Sequence, residues 1–127
     1  MRWLSFQIFN KTAEQQGTRF AIRESQAVEL IPFSGVMPTP GAPDAVLGAL
    51  DFRGRSIRVF DLGAVLGLAG SHLPQRVRVL IVRQSRTAAP MGIAIQPELG
   101  EVASLDSPGL QMLDLRLLNR IGRPARN

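Results

Sequence analysis

Ala45-Val-Leu-Gly-Ala-Leu-Asp-Phe52, Arg53-Gly54-Arg55 and Ser56-Ile-Arg-Val-Phe-Asp61 form the stretch that decides the fold. Two runs with strand composition flank a short Gly-centred link. Gly54 accepts the positive φ that a tight turn demands, so the unit is a β-hairpin with arginines at its tip. Asp61 then supplies a carboxylate to cap one helical turn over Leu62–Leu66, which Gly67 ends.

Upstream, Pro32–Pro43 reads PFSGVMPTPGAP, with four prolines and two glycines. Missing amide donors and fixed φ values make it an ordered crossing loop. Before it, Ser25 is placed to cap a short helix or half-helix that sets Val28 and Ile31 three residues apart on one side, with Glu29 toward solvent. Trp3–Phe9 alternates, with Leu4, Phe6 and Ile8 on one face and Ser5 and Gln7 on the other, as in a half-buried strand. Asn10–Gly17 is a polar hairpin loop, and Arg19–Arg23 resumes the alternation through Phe20 and Ile22.

Downstream, Ala69–Gln75 is an internal boundary. Val77–Val82 is a strongly apolar strand, Ser85–Pro90 a turn and Met91–Ile95 a second strand that Pro97–Gly100 breaks. Val102–Leu105 is a further short strand, Asp106-Ser-Pro-Gly109 a turn and Leu110–Leu115 a strand. Arg116–Ile121 forms a helical turn ahead of the polar end. Many short strands with Gly and Pro punctuation predict an all-β, barrel-like architecture.

The 127 residues suit one domain, and a hydrophobic fraction of 45% supports a real core. There is no cysteine, hence no disulfide and no thiolate chemistry, which suits a cytoplasmic protein. No signal-peptide pattern and no membrane-spanning run is present. The net charge is +5, and fourteen of the fifteen basic residues are Arg. Those arginines are dispersed along the chain. Nucleic-acid binding by a small SH3-like barrel is therefore the alternative reading, and a basic surface facing an acidic protein partner explains the charge as well.

Catalysis has little to run on. The lone His72 sits in the boundary segment, and a zinc site needs several convergent ligands. Asp51 and Asp61 flank the hairpin and are the one carboxylate pair that its strands could bring together. Charge pairing of Asp51 with Arg53, and capping by Asp61, account for them without acid–base work. The glycines match neither a Rossmann fingerprint nor a Walker loop. No cofactor or metal is implied.

Read in order, Ile22, Ala27-Val-Glu29-Leu30, the Pro-rich run to Pro43, Gly48-Ala-Leu-Asp-Phe-Arg-Gly54, Ser56-Ile-Arg-Val-Phe-Asp-Leu62 and Gly67-Leu68 resemble the first half of the CheW-like domain. That domain occurs in chemotaxis coupling proteins and in the regulatory domain of CheA-type histidine kinases. Met91–Ile95 and Leu113-Asp-Leu-Arg-Leu-Leu118 resemble later elements of the same family. The resemblance implies two small SH3-like barrels on a shared apolar core, the first over about 9–68 and the second over 1–8 plus 76–118, with 119–127 a polar tail. It implies docking without catalysis: one barrel grips the kinase's CheW-like regulatory domain, and a groove receives the helical tip of a chemoreceptor. It nominates Glu29, Gly48, Asp51, Arg53 and Gly54 for partner contact, Gly54 by supporting the turn.

The chain departs from the family pattern at Asp51, Ala27, Arg58 and Gln96. It also has only Asp106–Gly109 where the family carries a longer segment with a strand. The second barrel is therefore expected to be incomplete, with a strand edge open to another copy of the chain or to a partner protein. Arg78, Arg83 and Arg86 are expected to blunt that edge.

Overall fold

A computed structural model describes residues 2–8, 19–67 and 76–121. The expected loop Asn10–Gly17, the boundary Ala69–Gln75 with His72, and the last six residues lie outside them. Among the described residues nine strands form two sheets. They are β1 (Trp3–Gln7), β2 (Arg19–Arg23), β3 (Ala27–Pro32), β4 (Val46–Phe52), β5 (Arg55–Phe60), β6 (Arg78–Val82), β7 (Met91–Ile95), β8 (Leu99–Val102) and β9 (Leu110–Met112). Two one-turn α-helices, α1 (Leu62–Val65) and α2 (Arg116–Asn119), and two 3-10 turns are the helical elements of the described residues.

The five-stranded sheet has the order β3-β6-β7-β5-β4. It curls around a core to which every one of its strands contributes: Val28 and Ile31, Leu50 and Phe52, Ile57 and Val59, Val79 and Ile81, and Ala94. The chain itself closes the ring. Beyond β3 and a 3-10 turn at Phe33–Gly35, Met37 pairs with Ala49 of β4 through hydrogen bonds of 2.8 and 2.9 Å. The four-stranded sheet, β8-β1-β2-β9, stays open, and among the described residues β8 and β9 are its edges.

The two sheets share a second core. Leu4, Phe6, Ile8, Phe20 and Ile22 meet Phe60, Leu62, Leu80, Val82, Ile93 and Ile95 from the back of the ring. Val79–Val82 of β6 and all of β7 are thus buried on both faces, which is why they are apolar without alternation. Gln96 stitches the sheets together, its backbone N–H donating to the Gln7 carbonyl at 2.9 Å and its side chain to that of Ile8 at 3.3 Å.

Four strand pairs join residues assigned to the two expected subdomains: β1 with β2, β2 with β9, β3 with β6 and β5 with β7. Several local expectations are corrected. Ser25 caps no helix: Glu24–Gln26 is a single 3-10 turn preceded by Arg23, and β3 starts at Ala27. The spacing of Val28 and Ile31 comes from a β-bulge. Ala27 and Glu29 stand opposite the adjacent residues Val82 and Ile81, so Val28 is extra and the alternation resets. Val28 and Ile31 then face the ring core, and Ala27 and Leu30 the shared core.

Ser5 is buried, where solvent exposure was expected; its Oγ accepts from Arg19 Nη2 at 2.8 Å. The strand placed at Val102–Leu105 lies at Leu99–Val102, because Gly100 packs flat on Ser5 of β1 instead of breaking the run. Leu110–Leu115 is strand only to Met112. Arg78, Arg83 and Arg86 do not guard the open edge, since β6 has β3 on one side and β7 on the other.

Candidate functional site

The expected hairpin is present, but its turn has two residues instead of the three-residue link Arg53–Arg55, because Arg55 already belongs to β5. Phe52 pairs with Arg55, and the central residues Arg53 and Gly54 have φ values of 51° and 79°. Two positive φ values are what a type I′ hairpin requires. Gly54 meets that need without strain, and Arg53 is a non-glycine residue held in the left-handed region.

Two contacts hold Arg53. Its guanidinium carbon lies 4.7 Å from the centroid of the Phe52 ring, within cation–π range. Its Nη2 donates to Glu29 Oε1 at 2.9 Å. The side chains are 67% and 44% exposed, so the pair sits on the surface where another protein can reach it. The bulge at Val28 sets Glu29 opposite Ile81, whose side chain belongs to the ring core, as does that of Phe52. Cross-strand partners share a face, so Glu29 leaves β3 on the side that Arg53 overhangs.

The structure separates the other nominated residues. Gly48 is buried beneath the crossing loop, where a Cβ would stand on the Met37 carbonyl and 3.1 Å from Pro38 Cα. Its role is to admit the loop that closes the ring. Asp51 is exposed opposite Ser56, and Arg53 takes its carboxylate from Glu29, not from Asp51 as expected. Asp51 and Asp61 do not approach each other. Asp51 is at the turn end of the hairpin, and the Asp61 N–H donates to Ala45 O at the other end. Asp61 caps α1 as predicted, accepting from Gly63 N at 3.0 Å and Ala64 N at 3.4 Å.

Beside the tip lies a cleft of about 220 Å³. Arg53, Arg55, Arg83 and Arg86 line it together with Phe52, Val28, Thr87 and the Ala88–Pro90 turn. The sequence places Arg53 and Arg55 together at the hairpin tip and Arg83 and Arg86 together after the second apolar strand, but carries no signal that joins the two groups, because the link is the β6–β7 turn folding back toward the hairpin. Among the described residues no group of His, Cys, Asp and Glu could hold a metal ion. What the site offers is guanidinium donors and apolar surface, which recognise carboxylates and side chains. Away from it, Arg116 holds the Asp114 carboxyl down at about 2, chiefly through a side-chain hydrogen bond and secondarily through its backbone N–H.

A closed five-stranded ring sharing one core with a smaller open sheet defines the class: an all-β protein of two SH3-like units. The sequence matches the CheW-like domain family over residues 10–116, and the chain belongs to that family. The solved structure of the scaffolding protein TtCheW from Thermoanaerobacter tengcongensis has a similar fold, with a TM-score of 0.65 at 20% sequence identity. The similarity covers 84% of this chain and 66% of that one, so the chain spans just under two thirds of that protein's length. No curated protein matches the sequence. Among the described residues, no helix is long and apolar enough to cross a membrane.

Proposed function

We propose that this protein is a non-enzymatic scaffold in chemotaxis-like signalling. It couples the CheW-like regulatory domain of a CheA-type histidine kinase to the cytoplasmic helical tip of a chemoreceptor, acts in the cytoplasm and needs no cofactor. The observation that carries this reading is the exposed Arg53–Glu29 pair at the tip of the closed ring, in a chain of the CheW-like family. Arginine presents a planar fork of donors suited to carboxylates, and the bulge and I′ turn hold it in place from both sides. The test is capture of the two partners by the purified chain. Retention of the kinase domain, the receptor hairpin or both is expected; retention of neither overturns the scaffold reading.

The open sheet supports one further partner, a second copy of the chain. Strand β9 is only three residues long, and Met112 on it is 56% exposed. An unpaired strand edge is a template for another strand.

A further inference from the structure

We propose that the four-arginine cleft beside the hairpin is a docking slot for an acidic, carboxylate-bearing peptide segment of a partner protein. The inference deepens the docking reading of the hairpin tip and rests on it. Arg53, Arg55, Arg83 and Arg86 converge on one cleft, and among the described residues only Arg53 has a carboxylate partner there. Arg83 Nε is buried with no hydrogen-bond acceptor among the described residues. A buried donor without a partner is costly, and a carboxylate docked in the cleft that Arg83 lines is drawn to the same guanidinium.

The size of the cleft selects the ligand. At about 220 Å³ it is below the range of small-molecule and cofactor pockets, and it suits one or two side chains of a docked segment. Val28, Phe52, Ala88 and Pro90 give that segment an apolar wall, so an acidic residue next to an apolar one fits best. The arginines gather at one point instead of following a backbone-length track, which favours a peptide over nucleic acid. Docking also engages the existing pair, because a partner carboxylate competes with Glu29 for the exposed Arg53 guanidinium.

The test is fluorescence anisotropy of the full chain with a labelled Glu-Leu-Glu-Glu-Leu-Glu peptide and its Gln-for-Glu counterpart. The Glu peptide is expected to bind at least ~10-fold more tightly than the Gln peptide. The double variant Arg55→Ala with Arg86→Ala is expected to bind it at least ~10-fold more weakly at an unchanged melting temperature. Arg83→Gln is expected to weaken it as well. Equal binding of the two peptides, or no loss in the double variant, overturns the proposal. So does tighter, equally arginine-dependent binding of duplex DNA, which assigns the cleft to nucleic acid. Capture of the kinase's CheW-like domain or of the receptor hairpin by the unmutated chain tests the scaffold reading separately. Capture without peptide binding overturns the cleft alone, and peptide binding without capture overturns the scaffold alone.

Discussion

Arg53 and Glu29 lie twenty-four positions apart in the chain, yet Arg53 Nη2 is 2.9 Å from Glu29 Oε1. Glu29 is on β3 and Arg53 on the turn leaving β4, the two end strands in the order of the five-stranded sheet. The pair therefore spans the seam at which the sheet meets itself. As an exposed pair it adds only about 0–1 kcal/mol to folding. What it fixes is the direction of a guanidinium that the I′ turn already holds out from the ring.

Arg53→Ala is accordingly expected to separate binding from stability. Loss of an exposed pair and an exposed cation–π contact should move the melting temperature by only a few degrees, since each is worth about 1 kcal/mol or less. Truncation of an arginine anchor in an interface costs about 2 kcal/mol or more, roughly thirtyfold in Kd. Calorimetric titration against the kinase domain beside a thermal melt checks both. Comparable losses of stability and binding would make Arg53 a structural residue.

Gly48→Ala is expected to do the reverse. The new methyl meets the Met37 carbonyl at the closure of the ring, and the contact is with backbone, which cannot swing away. Overpacking of this kind costs about 1–3 kcal/mol. Denaturant melts should show the midpoint falling, and any loss of partner binding should follow the unfolded fraction.

The hairpin, the cap at Asp61 and the stop at Gly67 were legible in the sequence because each is set by local chemistry: a turn needing positive φ, a carboxylate facing free amides, a left-handed exit. The misread elements are those decided by distant partners. One extra residue in β3 relative to β6 gave Val28 and Ile31 a helical spacing. Ser5 reads as solvent-facing until Arg19 and Gly100 are seen packed over it. At the site, ordered motifs nominated Glu29 and Arg53 together, but nothing local chooses Glu29 over Asp51 as the ion-pair partner. The arginine cleft was not legible because its walls come from the hairpin, β3 and the β6–β7 turn.

Asp114 should titrate far below an ordinary carboxylate, at about 2 against 3.8. The folded value is depressed, so its contribution to stability is full above the ordinary value and is lost as pH falls through about 2. A carboxyl NMR titration checks this. Arg116→Ala should return the midpoint toward the ordinary value, because both the side-chain fork and its charge are removed. A midpoint that stays low in the variant would assign the shift to another group.

The open sheet makes a prediction about assembly. With β8 and β9 as the edges of the open sheet among the described residues, light scattering over a concentration series should show mass rising from monomer toward dimer. Lys placed at Met112 on the exposed edge should suppress that rise, as edge charges do. A strictly monomeric protein at all concentrations would remove the second copy from the list of partners.

The scaffold role itself is tested most directly by sedimentation velocity of the purified chain mixed with the CheW-like domain of a CheA-type histidine kinase. A faster-sedimenting complex of the two proteins, weakened by Arg53→Ala, is expected. Independent sedimentation of the two at every concentration, with the chain fully folded, would contradict it.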